Sequence, residues 1–254
     1  MIGILDSGVG GLSVLNEIRR RLPGHAVVYV GDSAWCPYGT KEPEDIRNRC
    51  RTICDFLGDQ GAEIIVIACN SATIAAIEIL RTEYPLPFVG MEPAVKPAAQ
   101  ASRSGVIGIL ATEASLQGEK FHRLVSTHAG GVRVITQPCP KFVELVEAGT
   151  LEGSEVDAAI DEYTGPILKA GADVLILGCT HYPFLSRAIR ARLPDGVQLI
   201  DTGEAVARRV ESLAGPAGDG STTIYTTGDL ARLEALLPKL GPGLDATCHR
   251  LALD

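Results

Sequence analysis

Apolar, β-branched runs recur along the chain at Ile2–Leu5, Ala26–Val30, Glu63–Ala68, Pro87–Gly90, Val106–Leu110, Val132–Thr136, Asp173–Leu177, Val197–Ile200 and Thr222–Tyr225, and each reads as a short strand. Amphipathic stretches lie between them. One of these places Ile46, Cys50, Ile53, Cys54 and Leu57 at i, i+4, i+7, i+8 and i+11, which is one face of a helix. Strands that alternate with helices predict an α/β protein whose mostly parallel sheets are covered on both faces. The glycine-rich stretch Gly215–Gly220 reads as a loop, and the strand and helix after it should join one of the sheets.

The pattern also repeats. Ile2-Gly3-Ile4-Leu5-Asp6-Ser7 is similar to Ile107-Gly108-Ile109-Leu110-Ala111-Thr112, an offset of 105 residues. The run from Gly61 to Cys69 is similar to the run from Gly171 to Cys179, an offset of 110 in the same order. Two similar α/β units are expected, each with a cysteine at the carboxyl end of the same strand. In open α/β sheets that edge is where ligands bind. If the units face each other across a cleft, the two thiols flank one ligand.

Composition narrows the classes. Hydrophobic residues make up 46% and charged residues 21% of the 254, which fits a globular chain rather than a disordered one. The net charge of −8 repels nucleic acid and anionic membrane surfaces, so neither is an expected partner. No basic-then-apolar leader precedes the first strand and no apolar run approaches bilayer length, so a cytoplasmic location is expected. The seven cysteines, odd in number and without a CxxC pair, predict neither a disulfide framework nor a zinc site.

The chemistry centres on two of those cysteines. Cys69, in Ala68-Cys69-Asn70-Ser71-Ala72-Thr73, stands between a buried strand and a helix-compatible run, where a helix dipole favours thiolate. Cys179, in Leu177-Gly178-Cys179-Thr180-His181-Tyr182-Pro183, has the same layout, with His181 near enough to relay a proton. Asp6-Ser7-Gly8-Val9-Gly10-Gly11 follows the first strand, but Ser13 replaces the third glycine of a dinucleotide loop and Asp6 would repel a pyrophosphate. A phosphatase-type thiolate needs an arginine six residues on, where Ala75 and Leu185 stand. Acyl-transfer schemes use one nucleophile and leave a second cysteine unexplained. Racemisation explains both: one thiolate removes a proton from one face of a carbon and one thiol returns a proton to the other.

These segments, together with Gly31-Asp32-Ser33 leading to Pro37-Tyr38-Gly39-Thr40-Lys41 and Cys139-Pro140 through Glu147-Ala148-Gly149, make the chain similar over nearly its whole length to the glutamate racemases of the aspartate/glutamate racemase superfamily. The resemblance implies two three-layer α/β domains related by a pseudo-twofold, with the active site in the cleft between them. With it we expect residues 1–96 plus 206–254 in one domain and 97–205 in the other. It implies no pyridoxal phosphate, no other cofactor and no metal. By matching position, Cys69 would be the base for D-glutamate and Cys179 the base for L-glutamate, with Asp6, His181 and Glu147 assisting. Asp6, Ser7, Tyr38, Gly39, Asn70, Ser71, Thr112, Thr180 and His181 would bind substrate. The implied role is supply of D-glutamate for peptidoglycan by a cytoplasmic homodimer. Departures from the family pattern are Ser71 where threonine is usual, the segment Gly90-Met91-Glu92-Pro93, and Trp35 and Cys36 before Pro37; Cys36 is read as a bystander. The alternatives are an aspartate or hydantoin racemase of the same superfamily and a non-catalytic metabolite-binding protein on the same scaffold.

Overall fold

The computed structural model of the chain describes residues 1–253. The chain forms two compact units, one from Met1–Met91 together with the segment from Gly203 onward, the other from Glu92–Thr202. The first unit contains β1 (Ile2–Asp6), α1 (Leu12–Arg21), β2 (Val27–Gly31), α2 (Pro43–Asp59), β3 (Ile64–Ile67), α3 (Asn70–Glu83) and β4 (Phe88–Gly90). The second contains α4 (Val95–Ala101), β5 (Val106–Ala111), α5 (Glu113–Gln117), α6 (Glu119–His128), β6 (Arg133–Pro138), α7 (Pro140–Glu147), α8 (Ser154–Lys169), β7 (Val174–Gly178), α9 (Ser186–Arg192) and β8 (Gln198–Ile200). The chain then returns to the first unit as α10 (Gly203–Glu211), β9 (Thr222–Thr226), α11 (Leu230–Leu240) and β10 (Thr247–Arg250).

The boundaries lie a few residues before those expected at 96/97 and 205/206. A break after residue 96 would cut α4, which packs as a whole on β5, α6 and β7 and buries Val95 and Ala98. A break after 205 would cut α10, which packs on α1, where Arg21 meets Glu204 and Glu211.

Both sheets are parallel, with strand orders β10-β9-β2-β1-β3-β4 and β6-β5-β7-β8. The sequence repeat reappears as register. Ile2 pairs with Ile64 in one sheet and Ile107 pairs with Val174 in the other, so offsets of 105 and 110 superpose the two strand pairs. Every residue of β1, β2, β3 and β7 is buried. Alternate side chains leave a strand on opposite faces, so both faces of these sheets are covered. Burial of each large aliphatic side chain contributes roughly 1.5–3 kcal/mol.

Helix α2 is built as its periodicity predicts. Its buried face is Ile46, Cys50, Ile53, Cys54 and Leu57, Pro43 opens the first turn, and Glu44 and Asp45 meet the positive end of its dipole. It approaches the sheet over Gly3, where an added Cβ would lie 2.9 Å from the Ala62 Cβ and 3.3 Å from Leu57. The repeat-related Gly108 does the same for α8: an added Cβ would lie 2.4 Å from Ile167. The recurring Ile-Gly-Ile-Leu thus admits one covering helix in each unit.

Asp173 fastens the entry to β5. Its half-buried carboxylate accepts from the Ser102 hydroxyl at 2.6 Å and from the Arg103 and Ser104 amides at 2.7 and 2.9 Å. Desolvation works to raise its pKa, but these hydrogen bonds together outweigh it and hold the carboxyl below the usual range. A depressed folded-state pKa stabilises above the unfolded value of about 4, and that stabilisation fades as pH falls below it. Asp173→Asn should therefore cost about 1–3 kcal/mol near neutral pH. In thermal melts from pH 7 to pH 3, the gap between wild type and variant should shrink toward the acid end.

Candidate active site

In both sheets the chain leaves the first strand toward one neighbour and later returns to pair on its other side. The resulting switch points lie between β1 and β3 and between β5 and β7, at whose carboxyl ends open α/β sheets bind ligands. The candidate residues collect at these two places, and each unit carries its own set.

In the first unit, β3 runs through Ala68 into Cys69, which caps α3: its Sγ accepts from the Ala72 amide at 3.5 Å. The thiol is buried, at 5% exposure, and stands at the positive end of the dipole of a 14-residue helix. Asn70 and Ser71 are buried behind it. Neither side-chain atom of Asn70 has a hydrogen-bond partner. A buried amide left unpaired costs about 1–3 kcal/mol per group, a cost that a polar ligand at this strand tip would relieve. Thr73, one turn on, donates to the Ile67 carbonyl at 3.1 Å and accepts from the Met91 amide at 3.0 Å, fixing the strand tip.

Asp6 ends β1 beside this tip and is fully buried; its Oδ2 accepts from the Gly8 amide at 3.0 Å. The glycine loop after it exists for close approach. A Cβ on Gly11 would lie 2.5 Å from the Asp6 Cβ and 2.8 Å from the Tyr29 hydroxyl. Glycine there lets α1 start directly against Asp6. Ser7 is buried next to it. Tyr38 and Gly39 form a 3-10 turn, Tyr38–Thr40. The Tyr38 ring is buried and its hydroxyl donates to Asp32 at 2.7 Å, so the phenol itself is already committed within the unit.

In the second unit, β7 runs through Gly178 into Cys179, also buried. Here the continuation differs. Tyr182–Leu185 forms a 3-10 turn before α9, and the Tyr182 amide donates to the Cys179 carbonyl at 3.1 Å. His181 is buried, with Nδ1 3.6 Å from the Cys179 Sγ and Nε2 2.7 Å from Glu147 Oε1. Glu147 is the last residue of α7, whose beginning is tied to β5 by the Cys139 amide donating to the Ala111 carbonyl at 3.0 Å. Tyr182 donates to the Cys139 carbonyl at 3.0 Å and stacks edgewise on Phe142, bracing the same helix against the turn. The segment from Cys139 to Gly149 is thus the arm that carries a carboxylate to the histidine. Thr180 is buried between thiol and imidazole in sequence, and Thr112 caps α5 at the tip of β5.

Superposed by the repeat, Cys69 and Cys179 correspond but the polar residues around them do not. Asp6 corresponds to Ala111, and His181 corresponds to Ser71. One thiol has a carboxylate on the neighbouring strand tip; the other has an imidazole backed by a carboxylate. Among the remaining cysteines, burial pushes the Cys50 thiol well up, Cys54 up to about 12, and raises Cys139 and the half-buried Cys248, so these stay neutral at physiological pH. Cys36 is half-buried and no disulfide joins any described pair.

The sequence profile of the Asp/Glu/Hydantoin racemase family matches residues 2–210. The chain belongs to this family. Among family members, a protein of Pseudomonas putida named glutamate racemase is 53% identical over 247 residues, 94% of this chain and 93% of its own. The crystal structure of Escherichia coli glutamate racemase in complex with L-glutamate and the activator UDP-MurNAc-Ala matches all of this chain and 98% of its own, at 32% identity and a TM-score of 0.90. A glutamate racemase from Francisella tularensis in complex with D-glutamate matches all of this chain and 97% of its own, at 26% identity and a TM-score of 0.85. The racemase fold with its two parallel sheets is therefore the fold of this chain.

One feature of the first unit has, as a whole, no local signature in the sequence. Buried Asp32 and Thr227 and the partly buried Arg49 form a cluster beside Tyr38. For Asp32 alone the available signal is a carboxylate directly after an apolar strand, Gly31-Asp32, as in Leu5-Asp6. Among the described residues no helix is long and apolar enough to cross a membrane.

Proposed function

We propose that this racemase interconverts L- and D-glutamate without a cofactor, with Cys69 and Cys179 as its two acid–base groups. The observation that carries the reading is a buried thiol at the switch-point strand tip of each unit, in a chain so close to glutamate racemases along its length. Inversion needs a base on one face of Cα and an acid on the other; a thiolate and a thiol provide both, and they trade roles after each turnover. The Cα–H is a very weak acid, so carbanion-like charge must be met by fixed hydrogen bonds in a site closed to water. Asn70, Ser71, Thr180, Ser7, Thr112 and the Tyr38–Gly39 turn are the groups we assign to hold the substrate. Asp6 assists Cys69; His181 and Glu147 assist Cys179. The product is read as D-glutamate for peptidoglycan, made in the cytoplasm by a homodimer.

The test is substrate profiling of the purified chain without pyridoxal phosphate. Either enantiomer of glutamate in D2O should lose optical activity while gaining deuterium at Cα, and aspartate should turn over at least about tenfold less efficiently. Equal or faster turnover of aspartate, or of a hydantoin, would reassign the substrate. Binding of glutamate with no exchange would leave a metabolite-binding protein.

A further inference from the structure

Gly31-Asp32-Ser33 has no part in the acid–base chemistry of the thiols, yet Asp32 is built into the unit that carries Cys69. Fully buried just past β2, its carboxylate accepts four hydrogen bonds: from the Tyr38 hydroxyl at 2.7 Å, from Arg49 Nε and Nη2 at 2.8 and 2.9 Å, and from the Thr227 hydroxyl at 2.7 Å. Its own amide donates to the Asp6 carbonyl at 2.9 Å, and its carbonyl accepts from the Trp35 amide at 2.9 Å. Thr227 in turn accepts from the Ala34 amide at 3.1 Å. Two buried carboxylates of the first unit thus share one backbone link. The Tyr38 ring lies in the same core cluster as Cys69, Cys50 and Ala72. Burial first, and then the Asp32 carboxylate that accepts its hydrogen bond, pushes the phenol well up, so it stays a neutral donor. Arg49 supplies the cation that a buried carboxylate requires.

We propose that Asp32 is a positioning residue for the reaction: gripped by Arg49 and Thr227, it holds the Tyr38 phenol, and with it the Tyr38–Thr40 turn, at a fixed place beside Cys69. The inference rests on the reading of Tyr38 and Gly39 as substrate contacts. Core packing buries the ring, and the phenol–carboxylate bond fixes its orientation and, with it, the turn. Arg49 also faces outward. It lines a cavity of about 540 Å³ with Trp35, Asn48, Thr52, Thr227 and Arg250, and its Cζ lies 5.6 Å from the Trp35 ring centroid. A free guanidinium ion can therefore reach the place its head group occupies.

The experiment uses the full chain with Tyr38→Phe and Arg49→Ala, assayed with both glutamate enantiomers. Tyr38→Phe should raise KM about tenfold with kcat within about threefold of wild type, the loss of one hydrogen bond to a charged group read in substrate binding. Arg49→Ala should raise KM at least as much. Millimolar guanidinium should restore at least about half of its lost kcat/KM while leaving wild type and Tyr38→Phe unchanged. A folded Tyr38→Phe enzyme with KM within about twofold of wild type would overturn the proposal and leave the cluster a staple of the fold. Should Arg49→Ala not fold, Tyr38→Phe decides. Absence of glutamate turnover in the wild type would instead remove the substrate reading, and this proposal with it.

Discussion

Cys179→Ala should abolish racemisation while leaving half of the chemistry running. With Cys69 assigned to D-glutamate, the variant should still wash deuterium from D2O into the Cα position of D-glutamate, with retained configuration, because one base suffices to remove and return a hydron on one face. L-glutamate should not exchange. Cys69→Ala should give the mirror result: exchange into L-glutamate only. Racemisation should fall at least about a thousandfold in each, the range a positioned acid or base contributes, or roughly 4 kcal/mol in the barrier. Alanine is the informative replacement because it leaves no hydroxyl to act as a weak acid. NMR of each enantiomer in D2O, beside a polarimetric assay, separates the two readouts. Exchange of both enantiomers by either variant would show that a single group serves both faces. Racemisation above about a tenth of wild type would remove that cysteine from the mechanism.

Most of the scaffold behind this prediction was written in hydrophobic pattern. The strands read from apolar runs recur as β1 to β9, and the face of α2 recurs residue for residue; burial on both sides of a parallel sheet forces the continuous apolar runs of β1, β2, β3 and β7. β10 was not readable. Thr247-Cys248-His249-Arg250 is polar, largely exposed and at a sheet edge, where backbone pairing with β9 holds it and side chains need not be apolar. The repeat identifies which strands correspond, yet the segments after the two cysteines diverge. α3 begins at once after Cys69, while Pro183 falls within a 3-10 turn after Cys179. Tyr38 illustrates a further limit. Its segment marks it as a substrate contact, but the fold commits its hydroxyl to Asp32. Long-range partners such as Thr227, 195 residues from Asp32, have no local signature.

The unequal surroundings of the two thiols meet a thermodynamic constraint. L- and D-glutamate have the same free energy in water, so the equilibrium constant is unity and kcat/KM must be equal in both directions, in wild type and in every variant. The asymmetry of the half-sites has to appear in kcat and KM separately. In the proposed mechanism a Glu147 carboxylate that accepts the Nε2–H of His181 would leave the Nδ1 lone pair toward Cys179 and support an imidazolium once the thiol proton arrives. Glu147→Gln removes that charge and lets an amide N–H donate to Nε2, which selects the opposite tautomer. We expect kcat/KM to fall about a hundredfold in both directions, with kcat from L-glutamate, where Cys179 is the base, falling more than kcat from D-glutamate. His181→Asn should cost at least as much. Because Glu147 acts only through the imidazole, adding Glu147→Gln to His181→Asn should cost little more, within about twofold. Additive losses in that double variant, or kcat values that fall equally from both enantiomers, would mean that the 2.7 Å carboxylate–imidazole contact does not serve the Cys179 thiol.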